Sequence, residues 1–98
     1  MPEETTRGTV VEPDGRTVVL TEDAWQHIRT QHPELAPYER AIMETISHPN
    51  ERTTDVRRGR ERYFASGKGP SRWLRVVVEF DGSSRGEVIT AFGQRNDP

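Results

Sequence analysis

The sequence has no cysteine, so a disulfide framework and a thiolate metal site are both excluded, and nothing in it requires an oxidising compartment. It also has no long apolar run. None approaches the roughly 20 residues that span a bilayer. The opening stretch, Met1 to Gly8, is polar and acidic and lacks the apolar segment of a signal peptide. These absences lead to the expectation of a cytoplasmic protein with no membrane contact. Apolar residues are scarce at 31 %, and 98 residues can bury one small core. Charged residues are as frequent, also 31 %, but aromatic and β-branched residues gather in runs, which argues against a disordered chain.

What is present divides unevenly. Residues 1–51 carry ten acidic and four basic residues, and residues 52–98 carry six and ten. The second half is thus suited to face a polyanion, unless its charges serve only to keep strand surfaces solvated.

Local patterns predict the elements. Two β-branched runs flank Pro13-Asp14-Gly15, and residues 9–20 therefore read as a β-hairpin. Thr21 reads as the N-cap of a helix over about 22–31, with Glu22 and Asp23 at its positive end and Trp25 and Ile28 on its buried stripe. Pro33 stops that helix near His32. A second helix is expected from about Pro37 to Ser47. Strands follow at 52–57, 60–65, 72–80 and 87–93, and their short connections imply antiparallel neighbours. The expected domain layout is a flexible terminus over 1–8 and one domain over 9–98. Within the sheet, strict alternation puts Leu74, Val76, Val78 and Phe80 under the helices, and Trp73, Arg75, Val77 and Glu79 on the other face. The same rule groups Ile89 with Ala91, and Val88 with Thr90 and Phe92. A face combining Arg75, Thr90 and Arg60 or Arg62 would be basic and partly apolar, able to seat a base beside its phosphate.

There is no glycine-rich phosphate loop, and no cofactor is expected. His27 and His32 are five apart, where paired helical metal ligands usually sit four apart, so no metal is expected either. The three histidines nonetheless bear on chemistry. Cleaving a phosphodiester without metal needs a base, an acid and a cation for the phosphate. Histidine suits both proton roles near neutral pH, and the arginine fork binds two phosphate oxygens. His27 lies off the apolar stripe, His32 stands at a helix end, and His48 precedes a proline in a loop. Each can equally be a surface or capping residue.

The order of "WQHIRTQHPEL", "ISHPNE", "RERYFA", "WLRVVVEF" and "VITAFG" resembles the phage and mobile-element nuclease domains of the barnase–EndoU–colicin–RelE-like group. The resemblance covers residues 21–94 and leaves the N-terminal hairpin outside. It implies an α+β fold, with one or two helices before a four-stranded antiparallel sheet. It also implies a metal-independent ribonuclease of the toxin type, acting on transfer or messenger RNA, with a cognate antitoxin or immunity protein as a partner. The family histidines fall on His27 and His32, an arginine–aromatic pair on Arg62 and Tyr63, and the last-strand threonine on Thr90. Arg60, Arg75, Trp73 and Phe92 are the expected substrate-binding residues. Phe92 stands where the resemblance leads one to expect tyrosine. The competing expectations are an inactive RNA- or protein-binding relative on the same fold, and an immunity-like protein whose hairpin edge pairs with a basic partner.

Overall fold

The first hairpin sets the frame. In the computed structural model, which describes residues 5–82 and 84–98, β1 (Thr6–Val11) pairs antiparallel with β2 (Thr17–Thr21). Gly15 takes φ +89° at the turn, and its N–H donates to the Glu12 carbonyl at 2.9 Å. The strand starts at Thr6, so Thr6, Arg7 and Gly8 belong to it and not to a terminal tail, while residues 1–4 lie outside the described residues.

Thr21 ends β2 and begins α1 (Glu22–Gln31) without a loop. Its Oγ1 accepts the Ala24 N–H at 3.1 Å, and Glu22 and Asp23 occupy the first turn. The chain then makes a 3-10 helix (Pro33–Tyr38) before α2 (Glu39–Ser47). The second helix thus starts two residues later than expected from Pro37, which lies inside the 3-10 stretch. Leu35 fixes that stretch by being fully buried.

β3 (Glu51–Thr54), β4 (Arg60–Ser66), β5 (Trp73–Phe80) and β6 (Arg85–Gln94) follow as an antiparallel series. The sheet has six strands in the order β1-β2-β6-β5-β4-β3. This corrects the expected four-stranded antiparallel sheet with a separate hairpin. β2 lies parallel to β6, with Thr17 beside Arg85 and Val19 beside Glu87. Short connections identify only neighbours in sequence; a parallel pair needs a long crossover, which here is everything from α1 to β5.

Both helices pack on one face. Trp25, Ile28, Ile42 and Ile46 meet Val18, Leu20, Tyr63, Leu74, Val76 and Val78 in a single apolar core. Each fully buried aliphatic side chain here contributes roughly 1.5–3 kcal/mol. In β6 the register shifts: Val77 opposes Thr90, but Val78 opposes Val88. The extra residue, Ile89, forms a bulge. Val88 and Ala91 therefore both face the core, which corrects the strict alternation that put Val88 with Thr90 and Ile89 with Ala91.

Gly86 opposes Phe80 at a close approach. A Cβ on Gly86 would lie 2.6 Å from Phe80 Cε1 and 2.9 Å from Val78 Cγ1. The Arg16 guanidinium also lies against that ring, its Cζ 3.7 Å from the ring centroid, and Phe80 is part of the buried core, so the ring has little room to yield. Gly86→Ala is expected to cost about 1–3 kcal/mol by overpacking. Urea denaturation checks this, and an unchanged midpoint would contradict the packing described. Among the described residues no helix is long and apolar enough to cross a membrane.

Candidate functional site

The face of the sheet opposite the helices carries the chemistry-bearing residues, and strand register arranges them in rows. Thr90, Val77 and Arg62 stand abreast on β6, β5 and β4. Phe92, Arg75 and Phe64 form the next row, and Gln94, Trp73 and Ser66 the one after. On the other side of the Thr90 row, Glu87, Glu79 and Arg60 align. Six of the residues singled out from sequence, Arg60, Arg62, Trp73, Arg75, Thr90 and Phe92, thus share one surface.

Arg75 is at its centre. Its guanidinium carbon lies 5.0 Å from the Phe92 ring centroid and 5.9 Å from that of Phe64. Phe64 and Val77 are buried although they point away from the helices, and the Arg75 guanidinium stands over the Phe64 ring. Arg62 and Arg60 have carboxylate partners: Arg62 Nη2 donates to Asp55 Oδ1 at 3.0 Å, and Arg60 Nε to Glu79 Oε2 at 2.9 Å. Arg75 forms no ion pair among the described residues; its Nη1 donates only a long bond, 3.4 Å, to Gln94 Oε1. The Nε atoms of Arg75 and Arg62 are buried without a hydrogen-bond partner. Burial, reinforced by the charge of Arg62, lowers the Arg75 pKa from its ordinary value. An anion brought to this position would counter the charge of Arg62 and favour the charged form of Arg75.

His32 borders the face. It caps α1, and its ring centroid is 5.6 Å from that of Phe92 with the planes tilted by 31°. Its Nδ1 is 3.8 Å from Glu34 Oε2. Trp73 turns its indole N–H to Asp97 Oδ1 at 3.1 Å.

Two expected residues are placed elsewhere. His27 is exposed on α1, outside the Trp25–Ile28 stripe, and no hydrogen bond, ion pair or ring contact joins it to the arginine face among the described residues. Tyr63 departs from its expected place beside Arg62. Adjacent strand residues face opposite sides, so Tyr63 points into the core with Val76. Its hydroxyl donates to Glu12 Oε2 at 2.9 Å, and burial together with that bond pushes its pKa well above the usual phenol range. His48 lies apart too, in a groove of about 490 Å³ with Pro13, Pro49 and Arg52, its Nδ1 3.1 Å from Ser47 Oγ.

Tyr63 belongs to a cluster that the sequence did not suggest. The Glu12 carboxylate, fully buried, accepts from the N–H groups of Asp14 (2.8 Å) and Arg16 (3.0 Å), from Arg16 Nη2 (2.9 Å), from Arg52 Nη2 (3.3 Å) and from Tyr63. Arg16 and Arg52 both reach Glu61 as well, at 2.8 and 3.0 Å. Burial opposes the Glu12 charge, but these donors outweigh it and hold the pKa down to about 2. Every member of this cluster is matched to another, and it ties the β1–β2 turn to β3 and β4. Alternation along β4 carried the available signal, since Glu61 and Tyr63 must share a side.

Among the described residues no group of three or more histidine, aspartate or glutamate side chains is gathered to hold a metal ion. The arginine face sets guanidinium groups beside aromatic rings, with an imidazole at its edge, a set of groups whose chemistry suits a phosphate. Comparison with protein-family models, with curated proteins and with solved structures found no match.

Proposed function

We propose that this protein is a metal-independent RNA endonuclease of the toxin type, acting on transfer or messenger RNA, with the sheet face around Arg75 as its site. The observation that carries this reading is Arg75 itself, a half-buried guanidinium held between Phe92 and Phe64 with no carboxylate partner among the described residues. In the proposed reaction the ribose 2′-oxygen attacks the adjacent phosphorus, its proton passing to a base, and the bond from phosphorus to the 5′-oxygen breaks as that oxygen takes a proton. The products are a 2′,3′-cyclic phosphate and a 5′-hydroxyl. Arg75 and Arg62 stabilise the charge that develops on the phosphate oxygens. Thr90 orients one of them, and Phe92 and Trp73 offer surface to the flanking bases. His32, not His27, is the imidazole at the face, and it moves the proton. A cognate antitoxin or immunity protein would be the partner that restrains such an activity.

One observation favours a second reading, a non-catalytic RNA-binding module. Only His32 of the three histidines borders the face, so no pair of imidazoles shares the base and acid roles among the described residues. Incubation with mixed transfer and messenger RNA in excess chelator separates the two. The parent should cleave, His32→Ala should lose activity on the order of 10²–10⁴-fold, and His27→Ala should keep it. Full activity in His32→Ala would remove that residue from the mechanism. RNA bound but left uncut by the folded parent would establish the binding module.

A further inference from the structure

The β3–β4 turn, Asp55 to Gly59, overhangs a groove of about 410 Å³ whose lining includes Arg16, Arg57, Arg58 and Arg60, with Asp55 and Glu61 as its acids. Both carboxylates are already engaged, Asp55 with Arg62 at 3.0 Å and Glu61 with Arg16 and Arg52 at 2.8 and 3.0 Å. Arg57 and Arg58 are exposed and form no ion pair among the described residues. The groove therefore holds uncompensated positive charge. Gly59 makes the turn tight: it takes φ +83°, and a Cβ there would stand 3.1 Å from the Phe80 carbonyl oxygen. Val56 at the tip of the turn is 91 % exposed, an apolar side chain held out beside the two arginines with nothing packed on it.

The groove adjoins the Arg75 face. Arg60 lines it and stands on that face, two residues from Arg62 along β4, a separation of about 7 Å. Asp55 lines it and holds Arg62. A chain of phosphates crossing from Arg75 past Arg62 would pass next over Arg60 into this groove.

We infer that the groove under the β3–β4 turn is a second phosphate-binding position, in which Arg57 and Arg58 hold the RNA backbone beyond the scissile nucleotide. This rests on the ribonuclease reading for its ligand. It assigns Arg57 and Arg58 to binding of the extended chain and not to the reaction, so they should matter for long RNA and not for the smallest substrate.

The test uses the Arg57→Ala/Arg58→Ala double variant and two probes. The first is a 12-nucleotide 2′-O-methyl RNA, which cannot be cleaved by 2′-hydroxyl attack, with affinity measured against salt. Each single-strand phosphate contact contributes about 0.7 to the slope of log affinity against log salt. The double variant should therefore lose about 1.4 from the parent's slope and bind more weakly at low salt. The second probe is a set of ribodinucleoside monophosphates, which span the cleavage position alone; parent and variant should cleave them equally. An unchanged slope, no binding of the 12-mer by the parent, or loss of dinucleotide cleavage in the variant would each overturn the inference. Binding of the 12-mer with the expected loss of slope, but no cleavage of any dinucleotide by the parent, would uphold the groove and overturn the ribonuclease reading instead.

Discussion

Arg75→Lys should reduce RNA cleavage on the order of 10²–10³-fold while leaving the fold intact, the loss typical of removing one preorganised charge-stabilising donor. Lysine keeps the positive charge but not the planar fork. It cannot lie against Phe92 and Phe64 and still present two parallel N–H groups to a phosphate. Arg75→Gln should lose as much activity, with a second signature. In the folded chain Arg75 carries a charge that burial and Arg62 both oppose; Asp55, which is paired with Arg62, offsets it only in part, and the net effect lowers its pKa. Removing that charge should leave stability unchanged or slightly raised, as is common where an active site holds a strained group. Cleavage assays in chelator with parallel urea denaturation read both effects. Full activity in Arg75→Lys would take Arg75 out of the site, and a large loss of stability in Arg75→Gln would make it a structural residue.

The largest effect on stability is expected at the opposite face. Glu12→Gln should destabilise the fold by about 3–5 kcal/mol, because it leaves Arg16, Arg52 and Tyr63 without the buried acceptor they share. The same carboxylate sets a pH dependence. Its folded pKa of about 2 lies below the ordinary 4.5. A depressed carboxylate contributes stability that is fully present above its unfolded pKa and is lost as pH falls through the folded one. Stability should thus decline between about pH 4.5 and pH 2, by about 3 kcal/mol from Glu12 alone. Asp14, Glu39, Asp55 and Glu61 are shifted in the same direction and add to the decline. Urea midpoints measured from pH 6 to pH 2 check this. The Glu12→Gln variant should show a shallower fall than the parent, and equal slopes would contradict the role given to Glu12.

The sequence makes local features legible and loses those set at a distance. The β1–β2 turn, the Thr21 cap and α1 depend on residues within a few positions of each other, and the patterns around Pro13-Asp14-Gly15 and Thr21-Glu22-Asp23 are enough to find them. The common face of Arg60, Arg62, Arg75 and Trp73 follows from period-two alternation along β4 and β5. Thr90 and Phe92 keep that face only because the bulge at Ile89 precedes them, and nothing in the residues around Ile89 announces it. The parallel pairing of β2 with β6 joins segments separated by most of the chain. The Glu12 cluster spans 51 residues between Glu12 and Tyr63, so its members look like unrelated surface charges until the sheet is assembled. Tyr63 shows the risk of reading a short motif as a unit. Its neighbour Arg62 is on the outer face, and the pleat turns Tyr63 to the core.

The most direct test of the account is cleavage of a matched pair of RNA oligonucleotides in excess chelator, identical except for a single 2′-deoxy substitution at the nucleotide 5′ of the scissile bond. The account predicts that the all-ribose strand is cut to a 2′,3′-cyclic phosphate and a 5′-hydroxyl, and that the substituted strand survives at that position. An uncut all-ribose strand, or equal cleavage of both, would contradict it.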